Sequence, residues 1–167
     1  MIKGLHHNAY RCRDSEDTRQ FYEDFLGLTL LHAFEITTTI TGRESKVLHS
    51  FFQMADGSFL AFFEEPAEPF EFKKQRDFDL HIALEVDYEQ LLAMKKRGED
   101  EGIETRGISD HGFIHSIYFR DPNGYVIELT ARLPDEEKAA FNADHAKAVL
   151  QKWQETKPTA DAGENNA

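Results

Sequence analysis

One cysteine, Cys12, stands in 167 residues, which excludes an internal disulfide and a thiolate zinc cluster. No apolar run approaches the length that spans a bilayer, and the first residues, MIKGLHHNAY, hold no apolar signal core. A cytoplasmic protein is the expectation. Basic charge is also short: 19 Lys and Arg face 31 Asp and Glu, for a formal net charge of −12. Nucleic acid and anionic membrane surfaces are therefore poor partners. What is abundant is apolar: 40% hydrophobic residues, including 14 Phe, in a length that suits one domain with a sizeable core. Cys12 alternates into an apolar pattern and reads as a small buried residue.

The chain repeats itself. LHHNAYRC (residues 5–12) matches LHIALEVD (residues 80–87), which sets His7 on His81 and Ala9 on Ala83. Each opening leads to a helix-like stretch and then to an alternating segment, LHSFF (48–52) or IHSIY (114–118). Each copy then turns at Asp56-Gly57 or Asn123-Gly124 into a last strand-like run. Read this way, His49 and His115 are equivalent, Phe52 matches Tyr118, and Ala61 matches Glu128.

The spacing predicts strands over 4–12, 28–36, 46–54 and 58–64 in the first copy, with a helix capped by Asp14 or Ser15 and stopped at Gly27. In the second copy it predicts strands over 79–86, 103–108, 113–120 and 124–131 and a helix over 87–101, with Leu91, Leu92 and Met94 on its apolar side. The result is an α+β domain, 1–133, of paired βαβββ modules: module one 3–65, connector 66–77, module two 78–132. They form a cupped, mostly antiparallel sheet. A C-terminal helix is expected over 134–155, with Ala139, Phe141, Ala148, Val149, Leu150 and Trp153 available for docking, and a disordered tail over 156–167. Open sheet edges, aromatic content and this helix favour a homodimer.

Strand alternation selects candidate site residues. In 79–86, Leu80, Ile82, Leu84 and Val86 share one face, and His81 lies on the other, toward the cup. Glu128 sits opposite Tyr125, Ile127 and Leu129 within an apolar run, where a lone carboxylate is costly unless paired or metal-bound. His7, His81 and Glu128, each mid-strand, form the ligand set to expect for one divalent metal. Tyr118 shares the parity of Glu128 across a hairpin. His6 alternates away from His7, His49 and His115 read as structural by parity, and His32 and His145 have no supporting context.

HSIYFRDPNGYVIEL, with LHHNAYRCRDSEDTRQFYEDFLGL and HIALEV, resembles the vicinal-oxygen-chelate superfamily over residues 3–132. This superfamily includes glyoxalase I, fosfomycin-resistance transferases, methylmalonyl-CoA epimerase and type I extradiol dioxygenases. The resemblance implies a metal held by His7, His81 and Glu128, with Tyr118 and His111 as catalytic residues. The stretch from His111 through Tyr118 and Asp121-Pro122-Asn123-Gly124 to Glu128 is similar to the extradiol signature, apart from Ser109. The reading favoured on that basis is an Fe(II)-dependent dioxygenase of a small catechol-like or enediol substrate, with Mn, Zn or Ni as other metals. Such enzymes carry a further histidine near the last strand of the first copy. Here Phe62, Phe63, Glu64 and Glu65 stand there, so Glu64, Glu65 or His111 would move the proton. A glyoxalase-type lyase or isomerase, or a thiol transferase, on the same site is the alternative, and Ala61 removes the fourth ligand that a glyoxalase uses. A metal-free binding protein of the bleomycin-resistance type is the alternative from another class.

Overall fold

The computed structural model describes residues 1–38, 40–74 and 76–158; of the expected tail, 159–167 lie outside the described residues. Each repeat builds a four-stranded sheet. The first holds β1 (His7–Cys12), β2 (Thr29–Thr38), β3 (Glu44–Gln53) and β4 (Phe59–Glu64) in the order β1-β4-β3-β2. The second holds β5 (Ile82–Glu85), β6 (Thr105–Asp110), β7 (Ile114–Arg120) and β8 (Val126–Arg132) in the order β5-β8-β7-β6. One pair in each is parallel, β1 with β4 and β5 with β8; the rest are antiparallel. The βαβββ modules stand as expected, while the sheet is divided into two four-stranded halves with β1 and β5 as edges. β5 begins later than its alternation suggests because Arg76 and Asp79 close a turn: Asp79 N–H donates to Arg76 O at 2.9 Å and the Asp79 carboxylate accepts from Arg76 N at 3.2 Å.

In the first module the helix opens on Asp14, whose Oδ1 accepts the Glu16 and Asp17 amides, both at 2.9 Å. α1 (Ser15–Arg19) then widens into a π-helical segment (Gln20–Phe25), with Leu26 N–H bonding back five residues to Phe21 O at 2.9 Å. Phe21, Tyr22 and Phe25 are all buried from this segment. α2 (Tyr88–Asp100) buries Leu91, Met94 and Gly98, while Leu92 is exposed: a neighbour one residue on lies about 100° round the helix.

A single core joins the modules. Tyr22, Phe25, Phe52 and Phe62 pack with Ile117, Phe119, Ile127 and Leu129, and Cys12 is buried among them as expected. The Asp121-Pro122-Asn123-Gly124 turn locks it. Buried Asp121 accepts the amides of Asn123 (2.9 Å) and Tyr125 (2.7 Å), the Asn123 side chain (3.0 Å) and the Tyr22 hydroxyl (3.0 Å). Burial pushes the Asp121 carboxyl up, and these hydrogen bonds oppose that. Gly124, at φ 92°, passes so close to the connector that a Cβ there would lie 2.5 Å from Lys73 O.

The C-terminal segment expected as one helix is two: α3 (Pro134–Ala140) and α4 (Ala143–Thr156). Asn142 breaks it, with extended backbone and a side-chain oxygen that accepts His145 N–H at 2.9 Å and starts a new helix. Phe141 packs on Phe113, ring centroids 5.4 Å apart, whereas Val149, Leu150 and Trp153 are exposed. No described helix is long and apolar enough to cross a membrane.

Candidate functional site

Register fixes what shares a face. In the second sheet Ala83 pairs with Glu128, Glu128 with Tyr118 and Tyr118 with Arg106, a single row across four strands. Ile117, Phe119, Ile127 and Leu129 alternate with it and enter the core, so the row lies on the open face. The matching row of the first sheet is Ala9, Ala61, Phe51 and His32. Ala61 does stand where Glu128 does. The counterpart of Tyr118, however, is Phe51 rather than Phe52, which is fully buried in the core. His49 then corresponds to Ser116 rather than to His115, and it shares the open face with His7. A one-residue slip reverses every side chain, and that is the correction here. His115 turns instead toward Tyr88 of α2, ring centroids 5.4 Å apart.

Four of the five expected residues meet at the second sheet: Glu128 and Tyr118 within it, His81 just before β5, and His111 at its edge. His81 Nε2 lies 3.1 Å from Glu128 Oε2, and the Glu128 side chain is only 6% exposed. His81 Nδ1 is 2.7 Å from the carbonyl of Asp77. A carbonyl only accepts, so Nδ1 carries hydrogen and Nε2 of the neutral ring presents a lone pair to the carboxylate. Two acceptors facing each other call for a shared cation, a proton or a metal ion. This donor chemistry fits a divalent metal.

Tyr118 donates to Glu128 Oε1 at 3.4 Å, and His111 Nε2 lies 2.9 Å from the same hydroxyl. Burial, then the charge of Glu128, holds the Tyr118 phenol above its ordinary range, so it keeps its proton at neutral pH. Arg106 lies over the Tyr118 ring, 5.2 Å from its centroid, and grips Asp77 through two bonds of 2.9 and 3.0 Å. These bonds hold the Asp77 carboxyl below the usual range. Sequence reading passed over both residues, although Arg106 falls in the Tyr118 row. Together with Phe113 and Ile114 these side chains line a cleft of about 1030 Å³.

His7 is elsewhere. It lies on the open face of the first sheet, exposed, with Nδ1 2.7 Å from His6 Nδ1 and its ring 5.6 Å from Phe51 and 6.5 Å from His49. His6, expected on the opposite face, precedes β1, where alternation has not begun, and turns to His7. The shared core lies behind both sheets, so the two open faces do not meet within one chain. Among the described residues, no three His, Cys, Asp or Glu side chains gather closely enough to hold a metal. Nor is either acidic candidate for proton transfer free: Glu64 accepts Ser15 N–H at 2.8 Å, and Glu65 pairs with Arg11 (3.3 Å) and Arg43 (3.1 Å). His49 is buried, with Nδ1 3.0 Å from Phe62 O, and burial pushes its pKa down.

Similarity to known proteins shows the family and the fold. A curated relative, metallothiol transferase FosB of Shouchella clausii, is 26% identical over 155 residues, covering 84% of this chain and 91% of its own. The fosfomycin resistance protein FosX of Listeria monocytogenes, solved with Mn(II) and sulfate, superposes with a TM-score of 0.60 at 24% identity, covering 82% of this chain and 98% of its own. A glyoxylase/bleomycin resistance protein/dioxygenase domain from Frankia sp. EAN1pec superposes with a TM-score of 0.63 at 16% identity, covering 79% and 99%. Residues 4–129 match the family model, and the chain belongs to the Glyoxalase/Bleomycin resistance protein/Dioxygenase superfamily, the vicinal-oxygen-chelate fold that its repeats resemble.

Proposed function

We propose that the protein is a metal-dependent enzyme that transfers a thiol to a small electrophile held through two neighbouring oxygens. It works as a homodimer whose metal site takes His81 and Glu128 from one copy and His7 from the other. The observation that carries this reading is the His81–Glu128 pair, two acceptors 3.1 Å apart in a cleft, which a divalent cation satisfies. His7 occupies the same repeat position as His81 on the other open face, so a second copy supplies what one chain leaves apart. The FosB relative, a metallothiol transferase, supports the reaction class, and the Mn(II) in the FosX structure makes Mn(II) the first metal to test, ahead of Fe(II).

When bound, the metal supplies Lewis acidity to the substrate oxygens. The chain's own groups orient the substrate. Tyr118 offers its O–H, His111 holds that phenol from the other side, and Phe113 and Ile114 wall the cleft. The test is thiol consumption by Mn(II)-loaded protein with fosfomycin and a panel of low-molecular-weight thiols. Consumption that stops in Glu128→Ala and on chelation supports the reading; no consumption with any thiol overturns it.

The extradiol dioxygenase reading keeps one observation of its own, the hydrogen-bonded run from His111 through Tyr118 to Glu128. Against it, Glu64 and Glu65 are both engaged. Oxygen uptake on catechols after anaerobic Fe(II) loading would restore it.

A further inference from the structure

We infer that His49 is the catalytic base of this site, the group that takes the proton from the incoming thiol. The inference rests on the thiol-transfer reading and adds a residue that neither the repeat nor the family resemblance supplied.

Position comes first. His49 stands in β3 two residues from Phe51, the counterpart of Tyr118, and so on the face that carries His7. Its ring lies edge-on to the His7 ring at 6.5 Å between centroids, flanked by Phe34 at 5.4 Å and Phe51 at 4.2 Å. In the dimer proposed above, the face that lends His7 to the partner copy's metal site carries His49 next to that ligand.

Orientation comes next. The imidazole stacks on Phe63, centroids 3.7 Å apart and planes 13° from parallel, while Nδ1 is tied to the Phe62 carbonyl at 3.0 Å. The carbonyl has no hydrogen to give, so Nδ1 bears it and the lone pair of the neutral ring is on Nε2. Nε2 makes no hydrogen bond among the described residues. Among the described residues the buried side-chain atoms without a partner are Arg11 Nε and His115 Nδ1, and His49 Nε2 is not one of them, so it reaches the surface of this face. A phenylalanine would complete the same stack without offering a lone pair there.

The other acceptors are spoken for. Glu65 is held by Arg11 and Arg43, His6 by His7, and Glu64 caps α1. His32 touches Phe34 and Phe51 but is exposed, with no hydrogen bond among the described residues to fix its ring.

The step balances without a redox change. Nε2 takes the S–H proton, the S–C bond forms, and the C–O bond at that carbon breaks. The electron pair stays on oxygen, which recovers the proton from the His49 imidazolium through solvent. A positioned base of this kind contributes about 10²–10⁴-fold.

The experiment compares His49→Gln, His49→Ala and His49→Glu with the wild-type dimer. Melting temperature, Mn(II) stoichiometry by electron paramagnetic resonance, and kcat and KM for thiol transfer are measured for each. The expected result for His49→Gln is a kcat lower by about 10²–10⁴-fold, with Mn(II) binding and KM for the electrophile little changed. Free imidazole should restore part of the rate to His49→Ala, and His49→Glu, which keeps an acceptor, should retain part of it. A purely structural role would not respond to imidazole. If His49→Gln does not fold, rescue or its absence in His49→Ala decides. A folded His49→Gln with kcat within about threefold of wild type overturns the base role alone. Absence of thiol transfer in the wild type overturns the functional reading, and the base role falls with it.

Discussion

His81 Nε2 and Glu128 Oε2 face each other across 3.1 Å, and the hydrogen that His81 could offer at Nδ1 is already given to Asp77 O, 2.7 Å away. The pair therefore calls for a proton or a metal ion between its two atoms, and stability distinguishes the two. Mn(II) should raise the melting temperature of the chelator-treated protein, by linkage worth about 2.7 kcal/mol at a hundred times Kd. Glu128→Ala should fold and lose this rise. A calorimetric titration with unchanged Mn(II) affinity in Glu128→Ala would contradict the ligand assignment.

Tyr118→Phe removes only the hydroxyl between His111 and Glu128 and leaves the ring on which Arg106 lies. The protein should fold and bind Mn(II). Turnover should drop by about ten- to hundredfold, equivalent to the roughly 1.5–3 kcal/mol of a hydrogen bond to a charged group. Steady-state kinetics showing an unchanged kcat would remove Tyr118 from the site.

Tyr22 reaches from the first module to Asp121 in the second, at 3.0 Å, inside the core. Tyr22→Phe leaves that buried carboxylate short of a donor and should cost about 1–3 kcal/mol in urea unfolding. Gly124→Ala should cost more, because a left-handed φ and a contact of 2.5 Å with Lys73 O add together. A neutral Tyr22→Phe would mean that the two modules are not held together through this bond.

Much of this was legible in the sequence, for reasons that can be named. His81 and Glu128 lie mid-pattern between residues that a core must take, so a period of two was enough to aim them. Asp14 and Asn123-Gly124 carry their own turn and cap chemistry. The error at His49 came from matching HSFF to HSIY as strings of letters. The turns set register, and counting back from Asp56-Gly57 and Asn123-Gly124 pairs Phe51 with Ala61 as Tyr118 pairs with Glu128. The helix break at Asn142 was readable as an Asn cap inside an apolar pattern and was passed over for the longer period. That His7 and His81 lie on separate open faces was not readable: alternation tells which face of its own sheet a residue takes, not whether two such faces meet.

Burial, assisted little by neighbouring charge, pushes the Cys12 thiol up to about 11 from an ordinary 9.0. The folded state thus favours the protonated thiol. The associated stability is fully present below pH 9.0 and is lost as pH rises through about 11. Below that window Cys12 should react with a disulfide reagent far more slowly in the native protein than in urea. Equal rates in the two states at pH 8 would show that Cys12 is not enclosed.

The central claim, one metal site built from two copies, is tested by subunit mixing. His7→Ala and Glu128→Ala should each be inactive in thiol transfer. Co-expressed and purified together without separating the dimers, they should regain about a quarter of wild-type activity per chain, because random pairing makes half the dimers mixed and each of those has one intact site of two. Activity that stays at the level of the separate variants, from mixtures shown by mass spectrometry to contain the mixed dimer, would contradict it.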